Sequence, residues 1–247
     1  MGSRAVKDAD LSAPNMNAFP DGLRVPAIFI GKAVAHWAGR PPSGILKHRA
    51  EGRQWLTKTG LRGDEQADPV HHGGPEKALH HYAADHYPFW SQEIPDLATK
   101  FAPGGFGENV STLGLTEERL CIGDVLRIGG AVVQVTQGRQ PCWKLSAFIG
   151  RKDMATRFQK SGRTGWYYRV LEEGFIEAGD AILLMERPQP DWSLPLVIEA
   201  RFDPRLDPAL AKRLARIAEL STSWRAGFAR KSDPSYVEDT APRLDGE

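Results

Sequence analysis

The segment from Cys121 to Gln137, with the sequence CIGDVLRIGGAVVQVTQ, decides how the middle of the chain folds. Two apolar runs flank the pair Gly129-Gly130, and glycine accepts the backbone angles of a tight turn without strain. The segment therefore predicts a β-hairpin. Similar short apolar runs recur along the chain as far as Arg187, which is typical of a β-barrel or a β-sandwich. The other predicted strands lie within residues 23–35, 54–60, 106–112, 164–171 and 181–186.

Helical patterns are few before Arg187 and dominate after it. Apolar residues at helical spacing predict a helix over Glu76–Trp90, just after Gly73-Gly74. Short helices are predicted after Trp143 and over residues 152–160, and one helical turn over 116–119. Beyond residue 187, helix-capping residues precede three apolar-patterned segments. These three helices are predicted to begin after Ser193, Asp207 and Ser221 and to end near Phe202, Leu220 and Arg230.

These patterns predict a mainly β protein with a few short helices, followed by a small helical module. The expected units are a flexible tail over 1–23, a β domain over 24–187, a three-helix module over 193–231 and a loose tail over 232–247.

Composition narrows the class of protein. The 247 residues are 41% hydrophobic and 26% charged with a net charge of +1, so neither nucleic acid nor a membrane is an expected partner. The first twenty residues lack the apolar core of a secretion signal. Two cysteines are too few for a disulfide scaffold, a four-cysteine zinc site or an iron–sulfur cluster. We expect a cytoplasmic protein with reduced thiols.

Cys142 is the first candidate for chemistry. It follows Pro141 in a loop between a predicted strand and the helix that begins near Trp143. Backbone N–H groups without partners at such a junction, together with Arg139 and Lys144, favour the thiolate. A thiolate is either a nucleophile or a soft metal ligand.

Cys121 has a different sequence setting. It stands between Leu120 and Ile122 at the start of the hairpin. A cysteine inside an apolar run is usually a small filler of the hydrophobic core. We therefore expect Cys121 to have a structural role only.

The box HHGGPEK, from His71 to Lys77, is the second candidate. Glycines before a helix let the backbone approach an anion, and Lys77 adds positive charge. The alternative is a helix-entry turn with solvated histidines. A zinc site is disfavoured, because no two histidines have the i, i+4 spacing of paired ligands on one helix. The histidines concerned are His71, His72, His80, His81 and His86.

Six motifs together give the chain a resemblance to the MOSC domain, and in particular to its YiiM-like branch, the hydroxylaminopurine-resistance proteins. The resemblance covers about residues 24–187, and the helices after it resemble the three-helix module of that branch. The motifs are SGILKH (43–48), GD (63–64), HHGGPEKA (71–78), FGENV (106–110), CIGD (121–124) and QGRQPC (137–142).

This resemblance implies a β-barrel that binds the molybdenum cofactor through a cysteine sulfur, which corresponds to Cys142. It also implies reduction of N-hydroxylated compounds such as 6-hydroxylaminopurine. The box with His72, Gly73, Gly74 and Lys77 corresponds to the pocket wall, as do Lys47 with His48 and the residues Arg139 and Gln140 of the last motif.

The resemblance and the residue types together suggest a mechanism. Gly73-Gly74, Lys77, Lys47 and Arg139 are candidates for binding the cofactor phosphate. His48 or His72 is a candidate for proton transfer, and Trp143 or Phe148 for stacking on a substrate base. The chain has no iron–sulfur or dinucleotide motif, so we expect an external flavin-containing reductase as electron donor. Two alternatives stay open: a non-catalytic carrier of the cofactor or of a sulfur or metal species, and a metal-free thiol enzyme.

Overall fold

The structure is a computed structural model that describes residues 19–68 and 73–246. Two β-sheets and a set of short helices form the described part of the chain. The strands are β1 (Ala27–Ile30), β2 (His48–Arg49), β3 (Gln54–Thr57), β4 (Gly60–Leu61), β5 (Leu79–Ala83), β6 (Val110–Thr112), β7 (Val125–Ile128), β8 (Ala131–Gly138), β9 (Trp166–Glu172), β10 (Gly174–Ile176) and β11 (Ile182–Glu186). The α-helices are α1 (Tyr87–Glu93), α2 (Trp143–Ile149), α3 (Met154–Ser161), α4 (Leu194–Phe202), α5 (Pro208–Leu214), α6 (Thr222–Lys231) and α7 (Ala241–Leu244).

Eight strands form one curved sheet in the order β11-β7-β8-β9-β5-β6-β1-β2, and β10-β3-β4 form a smaller sheet. Neighbouring strands are antiparallel except for the parallel pair of β5 and β6. The mainly β class is therefore confirmed. The sheet is not a closed barrel, because β11 and β2 remain as its edges. Near β11, the bridge between Arg24 and Ala181 and a few neighbouring backbone hydrogen bonds join the described residues before β1 to the opposite edge.

The hairpin predicted from the glycine pair is confirmed. Strands β7 and β8 pair from Val125 with Gln134 to Ile128 with Ala131, so Gly129-Gly130 forms the turn. Strand β8 then continues to Gly138 and pairs with β9 on its other side. It thus carries the chain from the hairpin directly to the loop that contains Cys142.

The helix predicted over 76–90 is wrong for residues 76–83 and is confirmed only near its end, where a 3-10 turn over Ala84–His86 leads into α1. Residues 79–83 form strand β5, which pairs with β9 on one side and β6 on the other and is buried at every position. A strand buried on both faces lacks the alternation of polar and apolar residues that would identify it. Before it lies only the three-residue 3-10 turn Pro75–Lys77, so Gly73-Gly74 do not precede a long helix.

The three-helix prediction matches α4, α5 and α6, although α5 ends at Leu214 rather than near Leu220. Asp207 accepts hydrogen bonds from the first backbone N–H groups of α5, and Ser221 caps α6 in the same way. Ser193 precedes α4 without such a bond. Helix α4 packs on strand β8, α5 and α6 pack on each other, and the three share one apolar core with the large sheet.

The segment after α6 differs from the loose tail predicted for 232–247. Glu238 forms an ion pair with Arg201 of α4, and Arg243 of α7 donates to the carbonyl of Pro141. These charged contacts are long-range, so the polar composition of the segment does not reveal them. At the other end, residues 1–18 of the predicted flexible tail lie outside the described residues, whereas Leu23 is buried in the core. No helix in the described part of the chain has the length and apolarity to cross a membrane.

Candidate active site

A pocket opens where α2 meets the large sheet. Four of the residues singled out from the sequence line it: Cys142, Lys47, Lys77 and Arg139. They come from segments far apart in the chain, so the fold has gathered them. The pocket is therefore the candidate active site.

Cys142 is the last residue of the segment Arg139–Cys142, which we call the cysteine loop. The loop leaves the end of β8, and Cys142 occupies the N-cap position of α2 with extended backbone angles (φ −135°, ψ 172°). Its carbonyl oxygen accepts from the N–H of Leu145 at 3.0 Å. Its side chain is half-buried and lines the pocket. The predicted strand-to-helix junction is thus observed.

Lys47 lies in the pocket wall as half of a buried ion pair with Asp64, their side chains being 5% and 1% exposed. Burial lowers the pKa of Lys47, and the Asp64 carboxylate opposes this shift. Asp64 also accepts from the N–H of Gly31 at 2.7 Å and from the side-chain amide of Asn109 at 2.9 Å. The oxygen of that amide accepts from the N–H of His80 at 3.1 Å. This network fixes Lys47 to two strands of the sheet.

Three further cations line the pocket. Arg139 is buried, donates to the carbonyl of Phe106 and lies over the ring of Phe158. Burial lowers the pKa of Lys77, against the opposing charges of nearby carboxylates. Lys144 donates to a backbone carbonyl at 3.3 Å. Positive charge therefore surrounds the sulfur, partly balanced by acidic groups of the same wall.

His80 also lines the pocket. From the sequence alone it is only one of the five histidines of a disfavoured zinc site. It is 4% exposed, and its ring lies 4.8 Å from that of Tyr167. Its Nε2 atom has no hydrogen-bond partner among the described residues. Burial, assisted by the charge of Arg139, holds the pKa of His80 well below its ordinary value, so the ring is neutral near pH 7. Recognising residues 79–83 as a strand would have placed the adjacent His81 on the opposite face.

Other predicted site residues lie elsewhere. His48 is exposed on the edge strand β2 and lines a separate groove. The side-chain amide oxygen of Gln140 faces the C-terminal helices, where it accepts hydrogen bonds from Arg201 and Arg243. These positions follow from side-chain directions that motif spacing does not specify. His72, like His71, lies outside the described residues.

The glycines of the box support the pocket indirectly. A Cβ atom on Gly73 would stand 2.6 Å from the side-chain oxygen of Gln66, a residue of the pocket wall. Gly74 has a φ of +85°, which few other residues adopt. The two glycines thus let the chain pass close behind the wall.

The aromatic candidates for stacking lie outside this pocket. Trp143 lines a neighbouring cleft, where its ring is 5.4 Å from that of Trp37. Phe148 contacts the ring of His36 edge-on. Within the described ranges, no three histidine, cysteine, aspartate or glutamate side chains are grouped as a metal would require.

Comparisons with known proteins identify the family of this chain. The model of the MOSC domain matches residues 68–183, and that of the YiiM-like 3-alpha helix domain matches residues 192–231. Protein YiiM of Escherichia coli K12 is 37% identical over 226 residues, which cover 91% of this chain and all of that protein. The chain belongs to the YiiM-like family of MOSC domain proteins.

Relatives of this MOSC protein extend the comparison. The crystal structure of YiiM from Escherichia coli superposes with a TM-score of 0.76 at 32% identity, covering 90% of this chain and 98% of that one. A protein of Gibberella moniliformis named reductase is 40% identical over 157 residues, which are 63% of this chain but only 28% of that protein. The match thus concerns one part of a much longer chain.

MOSC domains are associated in general with binding of the molybdenum cofactor, and the pocket of this MOSC domain fits such a group. Cys142 supplies one soft sulfur donor, which suits a thiophilic metal. Lys47, Lys77 and Arg139 supply positive charge for an anionic group. The buried Nε2 atom of His80 has an unused hydrogen-bonding position. The donor set is therefore compatible with a metal-bearing, phosphate-bearing cofactor.

Proposed function

We propose that this protein is a molybdenum-cofactor-dependent reductase that converts N-hydroxylated compounds, such as 6-hydroxylaminopurine, to amines. The observation that carries the proposal is a half-buried thiol in a cation-lined pocket of a MOSC domain. The reductase name of one relative supports the reaction class. A cytoplasmic location, which keeps the thiol reduced, is part of the proposal.

In this proposal the Cys142 sulfur would bind the metal, and Lys47, Lys77 and Arg139 would bind the anionic part of the cofactor. When bound, the cofactor supplies two-electron redox chemistry at a centre that accepts oxygen. The overall reaction is R–NHOH + 2 e⁻ + 2 H⁺ → R–NH₂ + H₂O. The chain must therefore hold the group, orient the substrate and admit two protons.

The residues of the pocket wall suit these tasks. The network of Asp64, Asn109 and Lys47 would hold the lysine ammonium group in a fixed position. Neutral His80, whose ring lies beside that of Tyr167, would form an uncharged part of the wall against the bound ligand. His48 is exposed outside the pocket, so it has no part in this proposal. His72 remains a proposed proton carrier.

The electrons would come from an external flavin-containing reductase. The sequence holds only two cysteines, too few to bind an iron–sulfur cluster. The substrate would be a small N-hydroxylated base or amine, because the residues that line the pocket enclose only a small space.

The test compares the wild type with Cys142→Ser and with the control Cys121→Ser, all expressed in a host that makes the cofactor. Molybdenum per chain and reduction of 6-hydroxylaminopurine with an artificial electron donor are measured. Losing a second-sphere partner of a metal ligand costs about 10- to 100-fold in affinity, so losing the ligand should lower occupancy at least about tenfold. Cys121→Ser should retain both properties.

Each alternative gives a different result. Molybdenum bound through Cys142 without any turnover would indicate a carrier of the cofactor. Activity that needs Cys142 in protein free of molybdenum would indicate a thiol enzyme. Full activity of Cys142→Ser would reject the proposed mechanism altogether.

A further inference from the structure

The C-terminal segment contacts the cysteine loop through Arg243, a residue far from any motif of the pocket. One nitrogen of its guanidinium, Nη1, donates to the carbonyl of Pro141, the residue before Cys142. The other, Nη2, donates to the side chain of Gln159 in α3 at 2.7 Å. The Nε atom lies 2.9 Å from the Gln140 oxygen in the amide orientation that satisfies both groups. Arg243 thus spans the loop and a helix beside it.

The same arginine also touches the helical module. Its guanidinium carbon lies 5.9 Å from the centre of the Phe202 ring at the end of α4. Burial lowers the pKa of Arg243, and the charges of Glu238 and Cys142 are among the groups that act on it.

A second arginine holds the segment in place. Arg201 of α4 is 4% exposed and binds both carboxylate oxygens of Glu238, at 2.6 and 2.7 Å. Arg201 also reaches the Gln140 oxygen, at 3.3 Å. Such bidentate pairs fix geometry as well as charge. The segment that carries Arg243 is therefore anchored to the module five residues before it reaches the loop.

The strand before the loop is held by the module too. A Cβ atom on Gly138 would stand 2.4 Å from Ile198, so α4 packs directly on the end of β8. The N–H of Ser221 donates to the carbonyl of Thr136 at 3.0 Å. The helical module thus contacts the loop and the strand that leads to it.

From these contacts we propose that Arg243 is a positioning residue, through which the C-terminal segment and the three-helix module fix the Cys142 sulfur in the pocket. The part concerning catalysis rests on the proposed function, whereas the part concerning loop order does not. Removing Arg243 should loosen the cysteine loop and leave the β-sheet intact.

The test measures hydrogen exchange of the full-length protein without cofactor, in the wild type and in Arg243→Gln. Amides in residues 138–145 should exchange about tenfold faster in the variant, as expected when a charge-assisted hydrogen bond that keeps a segment closed is lost. The hairpin 125–135 should be unchanged. Arg230→Gln is the matched control, because Arg230 is an exposed arginine whose guanidinium contacts Tyr236 rather than the loop.

Arg243→Lys separates geometry from charge. Lysine keeps the positive charge but lacks the planar fork that reaches several acceptors at once. We expect exchange of the loop to stay several-fold faster than in the wild type. If Arg243→Gln does not fold, this milder variant carries the same measurement. Wild-type exchange of the loop in Arg243→Gln, or complete rescue by lysine, would overturn the proposal.

Kinetics of the loaded enzyme complete the test. Mispositioning of the sulfur should lower kcat about tenfold with KM within about twofold, since substrate contacts are not removed. If the loop is loosened in Arg243→Gln but the wild-type protein has no reductase activity, the positional role stands and the proposed function is refuted. If the wild-type protein is an active reductase but exchange of the loop is unchanged in Arg243→Gln, the proposed function stands and the positional role is refuted.

Discussion

The two cysteines of this chain occupy opposite environments of one fold. Cys121 is 1% exposed, lies beside the hairpin and directs its sulfur toward the carbonyl of Pro190 at 3.6 Å. Cys142 is half-buried and lines a pocket together with Lys47, Lys77 and Arg139. Burial raises the pKa of Cys121 to about 11. The same side chain is thus a core filler at one position and a candidate ligand at the other.

This difference shows that the candidate reactive groups of the fold lie in the pocket wall and not in the apolar core. The apolar core that the sheet shares with the helical module stabilises the protein. The pocket wall instead contains charged side chains and the half-buried thiol of Cys142. Three pairs of residues of the same type allow this contrast to be measured. In each pair, one residue lines the pocket and the other does not.

The largest expected effect concerns the cysteines themselves. With a pKa of about 11, roughly a thousandth of Cys121 would be thiolate at pH 8. Burial of the Cys121 side chain also slows the access of reagents to its sulfur. Iodoacetamide at pH 8 should therefore modify Cys142 at least about a hundredfold faster than Cys121, as measured by peptide mapping under native conditions. Comparable labelling of both thiols in the folded protein would contradict the contrast.

The next effect concerns two lysine–carboxylate pairs. Lys47→Met leaves the buried Asp64 without its charge partner and should lower the free energy of unfolding by about 3 kcal/mol. Lys32→Met breaks the pair with Glu65, whose side chains are 63% and 48% exposed, and should change stability little. Urea denaturation of the cofactor-free proteins measures both. Equal losses of unfolding free energy in the two variants would show that the buried carboxylate of Asp64 does not need Lys47 as its charge partner.

The smallest effect concerns the neighbours His80 and His81. Both ring nitrogens of His81 have partners, Tyr168 at 3.0 Å and Thr112 at 2.7 Å, and burial lowers its pKa to about 3. The unfolded chain binds this proton below about pH 6.5, whereas the folded chain does not until about pH 3. The stability from neutral His81 is therefore present above pH 6.5 and is lost as the pH falls toward 3.

At 1.36 kcal/mol per pH unit, lowering the pH from 7 to 5 should remove about 2 kcal/mol of unfolding free energy through this one group. His81→Gln should weaken that pH dependence by about one proton, although the variant is less stable at pH 7. Urea midpoints at the two pH values give the comparison. An identical pH dependence in variant and wild type would show that His81 is not held neutral.

Local patterns predicted several elements because neighbouring residues determine them. The glycine pair fixed the hairpin turn, and Asp207 and Ser221 marked helix starts because a cap bonds within its own first turn. The loop before Trp143 placed Cys142 between a strand and a helix. Strand β5 was mistaken for a helix, since its burial on both faces removed the alternation on which periodicity depends.

By itself, the sequence determined the mainly β class, the helical module and the identity of the candidate sulfur, all of which depend on contacts between residues close in the chain. Only the tertiary structure decided that His80 faces the pocket while His48 does not, that Asp64 holds Lys47, and that Arg243 reaches Pro141. Those contacts join segments tens of residues or more apart. Their side-chain directions depend on strand order and helix packing, which no local pattern records.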